Sequence, residues 1–113
     1  MRFTDKAAIV TGAASGLGRA IARRLASEGS AVVIADANEA HALRVRDEIM
    51  AAGGRALAVR ADVSRPDDVA AMVAAALTEH HRLDILVSNA GIGSQNNGPA
   101  RQTSAAATSL QAA

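Results

Sequence analysis

Three glycines lie close together near the start of the chain, in the stretch Val10-Thr11-Gly12-Ala13-Ala14-Ser15-Gly16-Leu17-Gly18-Arg19-Ala20. The chemistry open to such a run is anion binding by backbone. A glycine at 12 turns the chain sharply, one at 16 lets a phosphate approach with no Cβ in the way, and one at 18 lets a following helix lie close to a strand. Where a helix opens, the N–H groups of its first turn are unpaired and its dipole favours negative charge, which suits a pyrophosphate. Ser15 adds a hydroxyl donor. A bare tight turn is the competing reading, and the flanking segments weigh against it: an apolar run precedes the glycines and helical spacing follows them.

Two acids extend the pattern. Asp36 follows the apolar run Ala31–Ala35, eighteen positions beyond Gly18. A carboxylate there accepts hydrogen bonds from both hydroxyls of an adenosine ribose and repels a 2′-phosphate, which favours NAD over NADP. No Arg or Lys stands at Ala13–Gly16 or Ala37-Asn38 to offset that repulsion. Asp62-Val63 follows the run Ala56–Val59, where a carboxylate can accept from the adenine amino group. Ser88-Asn89-Ala90-Gly91 follows Leu83–Val87, with small residues that let the chain pass beside a nucleoside.

These residues need a scaffold that brings them to one edge. The four runs Ala7–Val10, Ala31–Ala35, Ala56–Val59 and Leu83–Val87 are continuous rather than alternating, as in parallel strands covered on both faces. Three segments between them have helical spacing: about 16–28, with Leu17, Ile21 and Leu25 on one stripe and Arg19 and Arg23 off it; about 38–52, with Ala42, Val45 and Ile49, ending at Gly53-Gly54; and about 66–81, with Val69, Met72, Val73, Ala76 and Leu77. Ser64 is the expected cap of the third, with Pro66 and Asp67-Asp68 in its first turn. Alternating strands and helices with right-handed crossovers give an α/β fold. The expected form is a partial doubly wound (Rossmann-like) parallel sheet of order 3-2-1-4, with its crevice at the C-terminal ends of strands one and four.

Composition narrows the function classes. Half of the 113 residues are apolar, the net charge is +1 and the arginines are scattered, so neither nucleic acid nor an anionic membrane is an expected partner. There is no cysteine, which removes disulfides and thiolate chemistry. No run is long enough to span a bilayer and the N-terminus does not read as a secretory leader, so a cytoplasmic location is expected. His80-His81 reads as a solvated helix end, His41 as exposed, and Asn96-Asn97-Gly98-Pro99 as a turn. Residues 1–91 are read as the N-terminal part of a dinucleotide-binding domain, and 92–113 as a loop or disordered tail low in large apolar residues.

Taken together, these residues resemble the short-chain dehydrogenase/reductase family over about Asp5–Gly91. Its turn pattern Thr-Gly-x-x-x-Gly-x-Gly is matched by Thr11, Gly12, Gly16 and Gly18. Its Asn-Asn-Ala-Gly is matched by Asn89, Ala90 and Gly91, with Ser88 in place of the first Asn. The resemblance implies NAD as cofactor, held by Thr11, Gly12, Ser15, Gly16, Leu17, Gly18, Asp36, Asp62, Val63, Asn89, Ala90 and Gly91. It implies hydride transfer between NAD(H) and an alcohol or carbonyl as the parent reaction. The family's hydride chemistry uses a Ser, a Tyr-x-x-x-Lys pair and an Asn. This sequence has no Tyr, and its only Lys is Lys6, ahead of the first strand. The expectation is therefore a truncated, NAD-binding portion that is inactive as it stands, with no catalytic residue and no metal site. The alternatives are a non-catalytic nucleotide-binding or interaction module and, more remotely, an S-adenosylmethionine-dependent methyltransferase-like domain. Strand four would be an exposed sheet edge and a single helix would cover one face, so self-association is expected.

Overall fold

The computed structural model describes residues 2–13 and 16–89, and the backbone of 106–109. The elements run β1 (Ala7–Thr11), α1 (Gly16–Ser27), β2 (Ala31–Asp36), α2 (Glu39–Ala51), β3 (Arg55–Arg60), α3 (Pro66–His80), β4 (Ile85–Ser88) and β5 (Ala106–Ser109). They form one sheet in the order β3-β2-β1-β4-β5. The first four strands are parallel and in the expected 3-2-1-4 order. β5 runs antiparallel to β4, with Leu86 opposite Thr108 and Val87 opposite Ala107. Among the described residues the sheet edge on that side is thus β5, not the bare fourth strand expected from the sequence. The rest of the 92–113 tail lies outside the described residues.

The continuous apolar runs form strands because β1 and β2 are buried on both faces. Alternation along each strand sorts the side chains. Ala8, Val10, Val32 and Ile34 meet Ala22 and Leu25 of α1 and Ala42, Val45 and Ile49 of α2. Ile9, Val33 and Ala35 point the other way, to Met72 and Ala76 of α3. Each fully buried Val, Ile or Met side chain stabilises the fold by roughly 1.5–3 kcal/mol relative to exposure. Burial falls off at the outer strands on both faces: Ala56, Ala58 and Ile85 are only partly buried on the side of α1 and α2, and Leu57, Val59 and Leu86 on the side of α3.

Asn38 caps α2, its side chain accepting from the N–H of exposed His41. The ends of α3 depart from the sequence reading at two points. At α3 the N-cap is Arg65, without a side-chain cap, and the Ser64 hydroxyl instead donates to Asp62 Oδ1 at 2.6 Å. Ser64 is therefore part of the loop before the helix rather than its cap. His80 also differs from a solvated end: it is half-buried, its Nε2 has no partner among the described residues, and burial lowers its pKa. His81 ends the helix in a left-handed conformation and is exposed.

Candidate functional site

In a parallel sheet all the strands end at one edge, so β1, β2, β3 and β4 deliver their last residues together. β1 ends at Thr11, and Gly12 turns the chain away with φ +62. Gly16 opens α1 with φ +56, and among the described residues a Cβ placed on it would meet nothing within 4 Å. Gly18 is the opposite case. A Cβ there would lie 2.1 Å from the carbonyl oxygen of Gly12 and 2.4 Å from Asn89 Nδ2. The helix can lie this close to the strand ends only because position 18 has no side chain.

Asn89 ties the end of β4 to this turn. Its N–H donates to Thr11 Oγ1 at 2.9 Å, and its Nδ2 donates to the Gly12 carbonyl at 3.2 Å. The Thr11 hydroxyl in turn donates to the Val87 carbonyl at 3.4 Å. Asn89 is 6% exposed, yet its Oδ1 finds no partner among the described residues. A buried acceptor without a donor costs about 1–3 kcal/mol, so its presence beside the glycine turn suits a group that donates to it. Ser15, Ala90 and Gly91 lie outside the described residues. Leu17, in the first turn of α1, is 52% exposed, a large apolar side chain left beside the turn.

The two acids are joined through backbone. Asp36, the last residue of β2, pairs in register with Arg60, and its carbonyl accepts from the Ala61 N–H at 3.0 Å. Its Oδ1 accepts from the Asn38 N–H at 2.9 Å. Asp62 Oδ1 accepts from both the hydroxyl and the N–H of Ser64, and those two bonds hold its carboxyl below the usual carboxylate range. Val63 beside it is 38% exposed. Glycine turn, Asn89, Asp36 and Asp62 therefore share one edge. The only lysine, Lys6, stands just before β1, at the opposite edge.

Comparison with known proteins agrees with this geometry. Residues 6–111 match the family model described as short chain dehydrogenase. The chain belongs to the short-chain dehydrogenase family. It is 52% identical over 90 residues to the cis-4-hydroxycyclohexanecarboxylate dehydrogenase of Sinomonas cyclohexanicum, a match covering 80% of this chain and 36% of that protein. A 7α-hydroxysteroid dehydrogenase solved with NADH and 7-oxo glycochenodeoxycholic acid superposes with a TM-score of 0.78 at 41% identity, covering 80% of this chain and 35% of that one. A short-chain dehydrogenase/reductase from Burkholderia phymatum, solved with NAD, gives a TM-score of 0.78 at 42% identity, covering 82% and 33%. The short-chain dehydrogenase sequence here thus spans about a third of the length of the relatives it matches. The family assignment displaces the methyltransferase alternative.

Sequence reasoning missed two side chains. Asp84, read as part of an apolar run, is buried just before β4 and bonds Arg82 and the Ala7 N–H. Asp68, read only as helix-start charge, reaches back to Asp62. Asp84 carried a signal in its single charge within an apolar segment. Asp68 carried none, because its partner is a backbone N–H. Among the described residues no cluster of three metal-ligating side chains exists, and no helix is long and apolar enough to cross a membrane.

Proposed function

We propose that this chain binds NAD(H) at the C-terminal edge of its sheet. The pyrophosphate would lie on Gly12–Gly18, the adenosine ribose on Asp36, and the base beside Asp62 and Val63. In the whole protein the reaction would be hydride transfer between NAD(H) and an alcohol or carbonyl. The observation that carries this reading is the contact of Gly18 with Gly12 and Asn89. It leaves no room for a side chain and lays the start of α1 against the strand ends with Asn89 Oδ1 buried beside it. Asp36 supports NAD over NADP, since a carboxylate repels a 2′-phosphate.

In the same reading these 113 residues hold the cofactor without using it. With no tyrosine in the sequence, no phenolate is available as base, and Lys6 stands at the wrong edge. The test is a fluorescence titration of the purified chain with NADH and NADPH, followed by an assay with NAD and a panel of alcohols. Saturable NADH binding, weaker NADPH binding and no turnover are expected. Protein-dependent turnover would overturn the non-catalytic part, and absent NADH binding the whole.

A further inference from the structure

The loop between β3 and α3 is closed by a bond that a helix start ordinarily keeps for itself. Asp68 is the third residue of α3, where an acid commonly reaches back to the N–H of the N-cap residue. Here the N-cap is Arg65, and its N–H donates to the Asp62 carbonyl at 2.9 Å. Asp68 Oδ2 reaches three residues further back and accepts from the Asp62 N–H at 3.0 Å. The Arg60 guanidinium stands 3.5 Å from the same oxygen. With Ser64 donating twice to Oδ1, Asp62 is held at its N–H, its carbonyl and one carboxylate oxygen. Oδ2 of Asp62 is the oxygen that no described residue bonds.

An acid that only stabilised the helix dipole would gain as much from solvent-facing first-turn positions. Asp68 instead fixes the backbone of the one acid in the β3–α3 loop, two residues beyond Arg60, which pairs in register with Asp36. We infer that Asp68 is a positioning residue for base recognition: it holds Asp62 so that the carboxylate selects a purine bearing an exocyclic amino donor over one bearing a carbonyl. This rests on the nucleotide reading above. A carboxylate accepts from an amino group but meets a carbonyl as a second acceptor, so the orientation of Asp62 sets the size of the preference.

The test compares NADH with its hypoxanthine analogue, in which a carbonyl replaces the adenine amino group, by fluorescence titration of the full chain. The wild-type chain is expected to prefer NADH by about fivefold or more, the worth of one net hydrogen bond. Asp68→Ala is expected to bring the two ligands within about twofold of each other, chiefly by weakening NADH, whereas Asp68→Asn, which keeps an acceptor oxygen, retains most of the preference. Should the alanine variant fail to fold, Asp68→Ser serves. It suits a first helical turn but is too short to reach the Asp62 N–H. Amide exchange at Asp62 in the unliganded chain should quicken in Asp68→Ala and stay slow in Asp68→Asn.

Equal weakening of both ligands, a preference that survives Asp68→Ala, or unchanged Asp62 exchange would overturn the role of Asp68 while leaving the nucleotide reading intact. Absence of NADH binding by the wild-type chain would overturn the nucleotide reading, and the role of Asp68 with it.

Discussion

β4 is fastened to β1 at both ends, and the two fastenings differ in kind. Before β4, Asp84 donates its N–H to the Ala7 carbonyl at 2.8 Å and accepts the Ala7 N–H on Oδ2 at 2.9 Å. Arg82 binds both oxygens of the same carboxylate, at 2.6 and 2.7 Å. After β4, Asn89 bonds Thr11 and Gly12 but keeps a buried acceptor without a partner among the described residues. The first fastening satisfies its polar groups internally and needs nothing else. The second is incomplete as the described residues stand. A parallel sheet can concentrate its stability at one edge and leave the other for a ligand, because all its strand ends and helix starts share that other edge.

Gly18→Ala should break this division most severely. Its Cβ would meet backbone at 2.1 Å, so α1 must move off the sheet. Overpacking against backbone costs roughly 3 kcal/mol or more, lowering Tm by about 12 °C or more. NADH binding should be lost with it. A small Tm change would show that the close approach is not needed.

Asp84→Ala should come next and act on the other edge alone. It strands the Ala7 N–H and the Arg82 guanidinium. With Arg82 43% exposed and screened by water, the loss should be about 2 kcal/mol. Thermal melts should show it, while NADH affinity measured below the melt stays unchanged. A parallel fall in affinity would mean that the two edges are not separable.

Asp36→Ala is the counterpart at the ligand edge. NADH affinity should fall about tenfold or more, the worth of one hydrogen bond to a charged group, whereas NADPH affinity should hold or rise as the repulsion is removed. Stability should drop by only about 1 kcal/mol, from the lost acceptor of the Asn38 N–H. Equal loss for both cofactors would remove Asp36 as the source of discrimination.

A pH series gives the smallest and sharpest distinction. Arg82, then the Ala7 N–H, hold the Asp84 carboxyl below its ordinary range. A carboxyl whose folded pKa lies below its unfolded value near 3.9 contributes fully once the pH is above about 5. That contribution fades as the pH falls through the folded value. Melting temperature should therefore decline on acidification below about pH 5, and the decline should be shallower in Asp84→Ala. An unchanged slope would mean that the pair contributes little.

Much of the architecture was legible because it rests on local patterns. Continuous runs such as Ala31–Ala35 require burial on both faces, and helical stripes such as Ala42, Val45 and Ile49 need one face covered. Gly12, Gly16 and Gly18 were legible as a strand-to-helix turn because their spacing is a backbone requirement. Ser64 was misread because it has two competing partners, the helix start and the Asp62 carboxylate, and their ranking depends on where the β3–α3 loop places Asp62. Asp68 was not read for the same reason: it bonds a backbone N–H fixed by the tertiary fold, which leaves no pattern in residue types, whereas Asp84 left one in its single charge within an apolar run. β5 was invisible because Ala106–Ser109 has neither apolar weight nor alternation, and it forms a strand only against the edge of β4.

The central claim is that the ligand edge binds a dinucleotide, and titration of the purified chain with NADH tests it most directly. A saturable fluorescence change is predicted, displaced by NAD and by ADP and abolished in Gly18→Ala. A chain that melts cooperatively yet shows no saturable change with NADH would contradict it.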